Sequence, residues 1–171
     1  MWEYRGQHRP DCAEVPGVGQ ESVWDYPRPP SLVGDRRHVE VWCGRVLLAS
    51  SARTVRVLET ASPPTFYIPQ GDIVPGLLVA CEGRSECEWK GSAQYWALAR
   101  QFGRIEPVAW SYPEPDSRFR TIAGHLAFYP GRVDCRVDGE RVQPQPGHFY
   151  GGWITSDVVG PFKGTPDTRH W

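Results

Sequence analysis

The stretch from Tyr95 to Trp110 reads YWALARQFGRIEPVAW: an apolar run, then Gln101-Phe102-Gly103, then a second apolar run. Two β-compatible segments around a glycine-containing turn are a hairpin signal. Pro107 marks an edge or a bulge in the second segment, because proline cannot donate to a ladder. The same reading extends outward. Upstream, Val39 to Trp42 and Val46 to Ala49 flank Cys43-Gly44-Arg45, Thr54 to Leu58 alternates as a strand should, and Phe66-Tyr67-Ile68 is a short strand between prolines. Downstream, Leu126 to Tyr129 runs into Pro130-Gly131, then Val133 to Val137, then Asp138-Gly139 and a further strand from Arg141. Helical signals are weak. Asp116 to Ala123 predicts one or two turns capped by Asp116 or Ser117, and Asp72 to Leu78 is interrupted by Pro75-Gly76. Many short strands between regular turns predict an all-β antiparallel meander, barrel or sandwich with little helix.

The chain's 171 residues suit one domain, and a composition 40% hydrophobic and 12% aromatic can fill its core. Residues 1–20 read as an N-terminal arm and 21–171 as a single domain. A net charge of −1 offers no electrostatic footprint for a nucleic acid polymer or an anionic membrane. Met1 to Pro10 holds no apolar core of signal-peptide length, and no apolar run approaches a membrane span, so the default address is the cytoplasm. Five cysteines without a C-x-x-C pair support neither a disulfide framework nor a zinc ribbon, and the five histidines show no ligand spacing. No metal site and no cofactor are expected.

An ordered echo runs through the chain. Trp24-Asp25-Tyr26-Pro27 matches Trp110-Ser111-Tyr112-Pro113, and Gly44-Arg45-Val46 matches Gly131-Arg132-Val133. Phe66-Tyr67 matches Phe149-Tyr150, and Trp89-Lys90-Gly91 matches Phe162-Lys163-Gly164. Such an order predicts a duplicated half-domain related by a pseudo-two-fold axis.

Lys90 and Lys163 are the two lysines among nineteen basic residues; the other seventeen are arginine. Lysine offers a compact ammonium with three rotatable donors and a pKa that falls on burial, properties that guanidinium lacks. Three roles fit such an amine: clamping an anion, acting as a base or nucleophile, or tying backbone carbonyls together. The glycine after each lysine lets the backbone turn there. Lys90 is expected to point inward, close to Tyr67, Tyr95 or Glu59. Cys87 reads either as an activated thiol or as a buried inert one. Glu59 would line a pocket or close a salt bridge, and Trp110 and Tyr112 would form core or pocket wall.

Residues 39–135 resemble the bacterial and fungal family known as domain of unknown function 427. The resemblance is carried by Leu58-Glu59-Thr60, by Cys87-Glu88-Trp89-Lys90-Gly91 with Tyr95-Trp96, by Trp110-Ser111-Tyr112-Pro113-Glu114-Pro115, and by Ala127-Phe128-Tyr129. Residues 136–171 resemble the C-terminal extension of longer members. The resemblance implies a β-tent-like fold and assigns no activity. A nucleotidyltransferase label travels with the family, but the chain shows no D-x-D after Gly91-Ser92, where a Mg²⁺-holding carboxylate pair would be wanted. The leading expectation is therefore a small-molecule-binding domain with Lys90, Tyr67, Tyr95, Trp110 and Tyr112 around its pocket. Its rivals are a small enzyme using Lys90, Cys87 or Glu59 on a nucleotide or other phosphorylated compound, and an interaction protein forming a homodimer.

Overall fold

The computed structural model describes residues 2–171. Residues 2–20 carry no strand or helix. The strands follow in chain order: β1 (Glu21–Ser22), β2 (Ser31–Asp35), β3 (Val39–Cys43), β4 (Val46–Ser51), β5 (Thr54–Leu58), β6 (Thr65–Tyr67), β7 (Leu78–Cys87) and β8 (Gly91–Leu98). The second part of the chain adds β9 (Pro107–Ser111), β10 (Leu126–Phe128), β11 (Asp134–Val137), β12 (Glu140–Arg141), β13 (Gln143–Pro144), β14 (Trp153–Ile154) and β15 (Val158–Val159). Helix is confined to short 3-10 turns, one of them Ser117–Ile122, where the Asp116 side chain accepts from the Arg118 amide as the cap. Among the described residues no helix is long and apolar enough to cross a membrane.

The fold is all-β, built of several antiparallel sheets with no closed barrel among the described residues. One four-stranded sheet runs β10-β9-β8-β7, a second runs β12-β11-β3-β4, and a three-stranded sheet runs β2-β5-β6. The pair β1–β15 is parallel and ties the start of the domain to its end.

The β10-β9-β8-β7 sheet decides where the site lies, because both of its faces are covered. Trp96, Ala109 and Phe128 stand in register across it and turn into the main core, with Val39, Leu48 and Trp153. Their neighbours Tyr95, Trp110 and Ala127, also in register, face a second cluster with Val57, Tyr67 and Tyr112. Strand side chains alternate between faces, so one sheet serves as wall of the core and floor of a second chamber. Pro107 sits opposite Ala97 beside a register shift at Trp96/Ala97, the irregularity that its missing donor demands.

The echoed landmarks do not occupy matching elements. Trp24 lies in a 3-10 turn, whereas Trp110 lies in β9. Gly44 closes the β3–β4 hairpin, while Gly131 lies between β10 and β11, which belong to different sheets. Phe66-Tyr67 are buried in or beside β6, and Phe149-Tyr150 lie in an exposed loop. The expected half-repeat is not seen at these landmarks. Aromatic-proline and glycine-arginine pairs encode local turns, and a local turn does not choose which strand its neighbours pair with. The two echoed lysines nevertheless converge on one cavity.

Candidate functional site

The cavity has a volume of about 300 Å³ and is lined from several parts of the chain. Glu59 follows β5, and Tyr67 ends β6. Cys87, Lys90 and Tyr95 come from the β7–β8 hairpin, and Trp110 and Tyr112 from the end of β9. Lys163 comes from the C-terminal segment and Trp2 from the N-terminal one. All eight residues expected to serve a ligand thus line one chamber.

Lys90 owes its position to the hairpin. Cys87 pairs with Gly91, leaving Glu88-Trp89-Lys90 as the turn, and Gly91 exits it at φ 93°, a conformation that disfavours a side chain. The Asp116 amide donates to the Lys90 carbonyl at 3.2 Å, fixing the turn against the Ser117–Ile122 segment. The Lys90 side chain is then drawn in until the residue is 8% exposed. Its Nζ lies 5.7 Å from the centre of the Tyr112 ring and 5.8 Å from that of Phe119, within cation–π range. Among the described residues it makes no hydrogen bond and no ion pair with Tyr67, Tyr95, Glu59 or any other group.

Lys163 is 5% exposed and its amine is partnered. Its Nζ donates to the Trp171 main-chain oxygen at 3.0 Å and lies 4.5 Å from the centre of the Trp2 ring. Its amide donates to the Ala61 carbonyl, and its carbonyl accepts from Gln145 Nε2 at 2.7 Å. Burial, with Arg28 nearby, pulls its pKa below the ordinary lysine range against the opposing pull of Glu59 and Glu88.

The floor is aromatic and its hydroxyls are neutral. Trp110 Nε1 donates to Tyr67 Oη at 3.2 Å, and the two rings meet edge to face at 6.3 Å. Burial pushes the Tyr67 and Tyr112 phenols far above the usual tyrosine value, and Tyr129 up to about 12. Tyr95 and Ser85 share a hydrogen bond of 2.7 Å. Glu59 closes a salt bridge, its Oε1 accepting from Arg28 Nε at 3.2 Å.

Sequence reasoning missed Trp2 and Gly151 on the lining and the frame behind it. Arg28, buried at 4%, also donates to the Thr60, Tyr4 and Trp171 main-chain oxygens, and stacks on Trp2 with 4.2 Å to the ring centre. Its place between two prolines reads as a surface turn. Gly151 passes so close to Trp110 that a Cβ would overlap the indole, and a Cβ on Gly152 would fall 2.6 Å from Pro63 Cγ. The doubled glycine ahead of Trp153 was the available signal for that close passage.

Fold and site together define an all-β domain with a lysine- and aromatic-lined cavity. A family profile described as domain of unknown function (DUF427), carrying a nucleotidyltransferase-type name, matches residues 31–139, and the chain belongs to that family. No curated protein matches the chain at a significant level. The matched span contains Lys90 and the aromatic floor, whereas Lys163 lies beyond it.

Proposed function

We propose that this chain is a cytoplasmic small-molecule-binding domain whose ligand occupies the chamber between Lys90, Tyr67, Tyr95, Trp110 and Tyr112. The observation that carries the reading is the cavity itself. Its volume of about 300 Å³ lies at the small end of ligand sites, and aromatic walls with a few converging polar groups are their usual lining. Three of its polar groups are engaged internally, Lys163, Glu59 and Gln145, which supports a chamber kept in shape before any ligand arrives. A thermal-shift screen over small metabolites, run on the wild type and on Ala93→Leu, tests it. Ala93 is buried in the cavity wall, so a longer side chain fills the chamber. A compound that raises Tm in the wild type and not in the filled variant is the expected result. Equal shifts in both proteins would place binding elsewhere.

The nucleotidyltransferase-type name of the family suggests a transfer enzyme as the second reading. Such chemistry calls for clustered carboxylates to hold Mg²⁺ against phosphates. Among the described residues no group of three or more His, Cys, Asp or Glu side chains could hold a metal ion, and Glu59 is already bound to Arg28. The donor set does not fit that ion.

A further inference from the structure

Lys90 is the buried charged group of the chamber that its own surroundings leave without a partner, and beside it the buried Trp89 Nε1 also has no acceptor. Its residue is more than nine-tenths buried, its amine lines the cavity, and no carboxylate lies within 4 Å of it among the described residues. An ammonium that reaches water only through the cavity gains from a counter-charge there, because ring faces return only part of the lost hydration. The three acids on the lining do not supply it: Glu59 is held by Arg28, and Glu86 and Glu88 are exposed. The lining also carries hydrogen-bond donors suited to an anion. Tyr67 Oη accepts from Trp110, which leaves its own proton to donate, and Tyr112 stands beside it with ring centres 6.4 Å apart. Both phenols are held in the protonated, donating form by burial. Around these donors lie flat aromatic surfaces from Trp110, Tyr112 and Tyr129, with Trp110 and Tyr129 only 4.5 Å apart between ring centres.

Resting on the binding reading above, we infer that the ligand is a small molecule with a planar or aromatic body and one oxyanion, a carboxylate or a phosphate, and that Lys90 Nζ supplies the counter-charge to that oxyanion. The ammonium and the phenols form the polar end, and the indole and phenol faces take the flat body. Lys163 is the weaker candidate for the anion, since its amine is already bonded to the Trp171 oxygen and lies against Trp2.

The experiment is a titration followed by amide shifts of cavity residues, with four probes that share a ring: benzoate, phenyl phosphate, benzamide and benzylamine. Acetate and inorganic phosphate serve as ringless controls. Benzoate or phenyl phosphate should bind at least about tenfold more tightly than benzamide, and Lys90→Gln should shrink that preference to about twofold or less. The better of the two anions identifies the oxyanion. Benzamide or benzylamine binding as well as the anions in the wild type would overturn the oxyanion assignment while upholding the pocket. Acetate or phosphate binding as tightly as the ring-bearing anions would overturn the planar body. A Lys90→Gln protein that keeps the full preference would remove Lys90 from the role. If that variant does not fold, Lys90→Arg takes its place, and the wild-type series still decides the ligand class. Silence from all four ring probes would sink the binding reading itself, an outcome distinct from each of the others.

Discussion

Lys90 and Lys163 are both buried, follow aromatic residues, precede glycines and face one cavity, yet only Lys163 has an oxygen partner for its amine. The Lys163 amine shares the Trp171 oxygen with Arg28 and lies on the Trp2 ring, so it ties residues near both termini to the body. Lys90 sits on ring faces with its three protons unassigned. The contrast separates framework from receptor. Groups that hold the chamber in shape are paired with one another, and the unpaired donors, the Lys90 amine and the Trp89 indole N–H, are the ones with something to give to a guest.

The strongest way to break this contrast is to attack the framework where it is most densely bonded. Arg28→Met removes a buried guanidinium that serves Glu59 and three main-chain oxygens, and leaves the carboxylate without its partner. Stability should fall by about 3 kcal/mol, as the bonds of a buried guanidinium to three main-chain oxygens are lost and the partly exposed Glu59 loses its partner. Urea denaturation with an unchanged slope measures it, and a loss below about 1 kcal/mol would show that this corner is not framework.

A sharper version compares the two lysines directly. Lys163→Met should destabilise by about 1–3 kcal/mol, because the Trp171 oxygen and the Trp2 ring lose their cation. Lys90→Met should leave stability unchanged or raise it, since an ammonium without a partner is traded for a thioether of similar length. Equal losses in the two variants would abolish the distinction.

The smallest expected effect is in pH dependence. The folded pKa of Lys163 lies below the ordinary 10.5, mainly through burial. Between the two values the unfolded chain holds a proton that the folded chain has shed, so stability should rise with pH in the window just under 10.5, and Lys163→Met should lack that rise. The acid side has the opposite origin. Burial alone would raise the Glu21 and Asp35 pKa values, but hydrogen bonds from Arg56 and Tyr26 to Glu21, and from Arg37 to Asp35, lower both. That stability is present above the ordinary carboxylate range and is lost as pH falls through the depressed values. Chemical denaturation across pH should show Glu21→Gln flattening the acid limb without touching the alkaline one.

Local chemistry was legible and distant pairing was not. The β3–β4 hairpin, the β5 segment Thr54–Leu58, the turn before β9 and the Asp116 cap all follow from alternation, glycine and side-chain capping within a few residues. The ten-residue strand β7 was missed, because Leu78–Cys87 carries Glu82, Arg84 and Glu86 and is mostly exposed, so no buried face shows as period two. The register shift between Ala80 and Arg84 breaks what alternation remains. The parallel pair β1–β15 joins positions more than 130 residues apart and leaves no trace in any window. In the site, the lysine bias and the C-x-x-K-G turn drew attention to the hairpin, where chemistry is packed into adjacent positions. Trp2 belongs to the lining, and Arg28 to the frame that holds Glu59, through contacts that only folding creates.

The chamber carries its own optical reporter. Three of the chain's eight indoles, Trp2, Trp89 and Trp110, line the cavity. Trp24 and Trp153 are fully buried in clusters away from it and supply a steady emission background. A guest stacked on the floor would quench or shift the three lining indoles, so occupancy can be followed by intrinsic fluorescence without a label. Trp110→Phe would dim the response of the floor, and Trp2→Phe that of the Lys163 corner, so the two spectra together report where in the chamber a guest comes to rest.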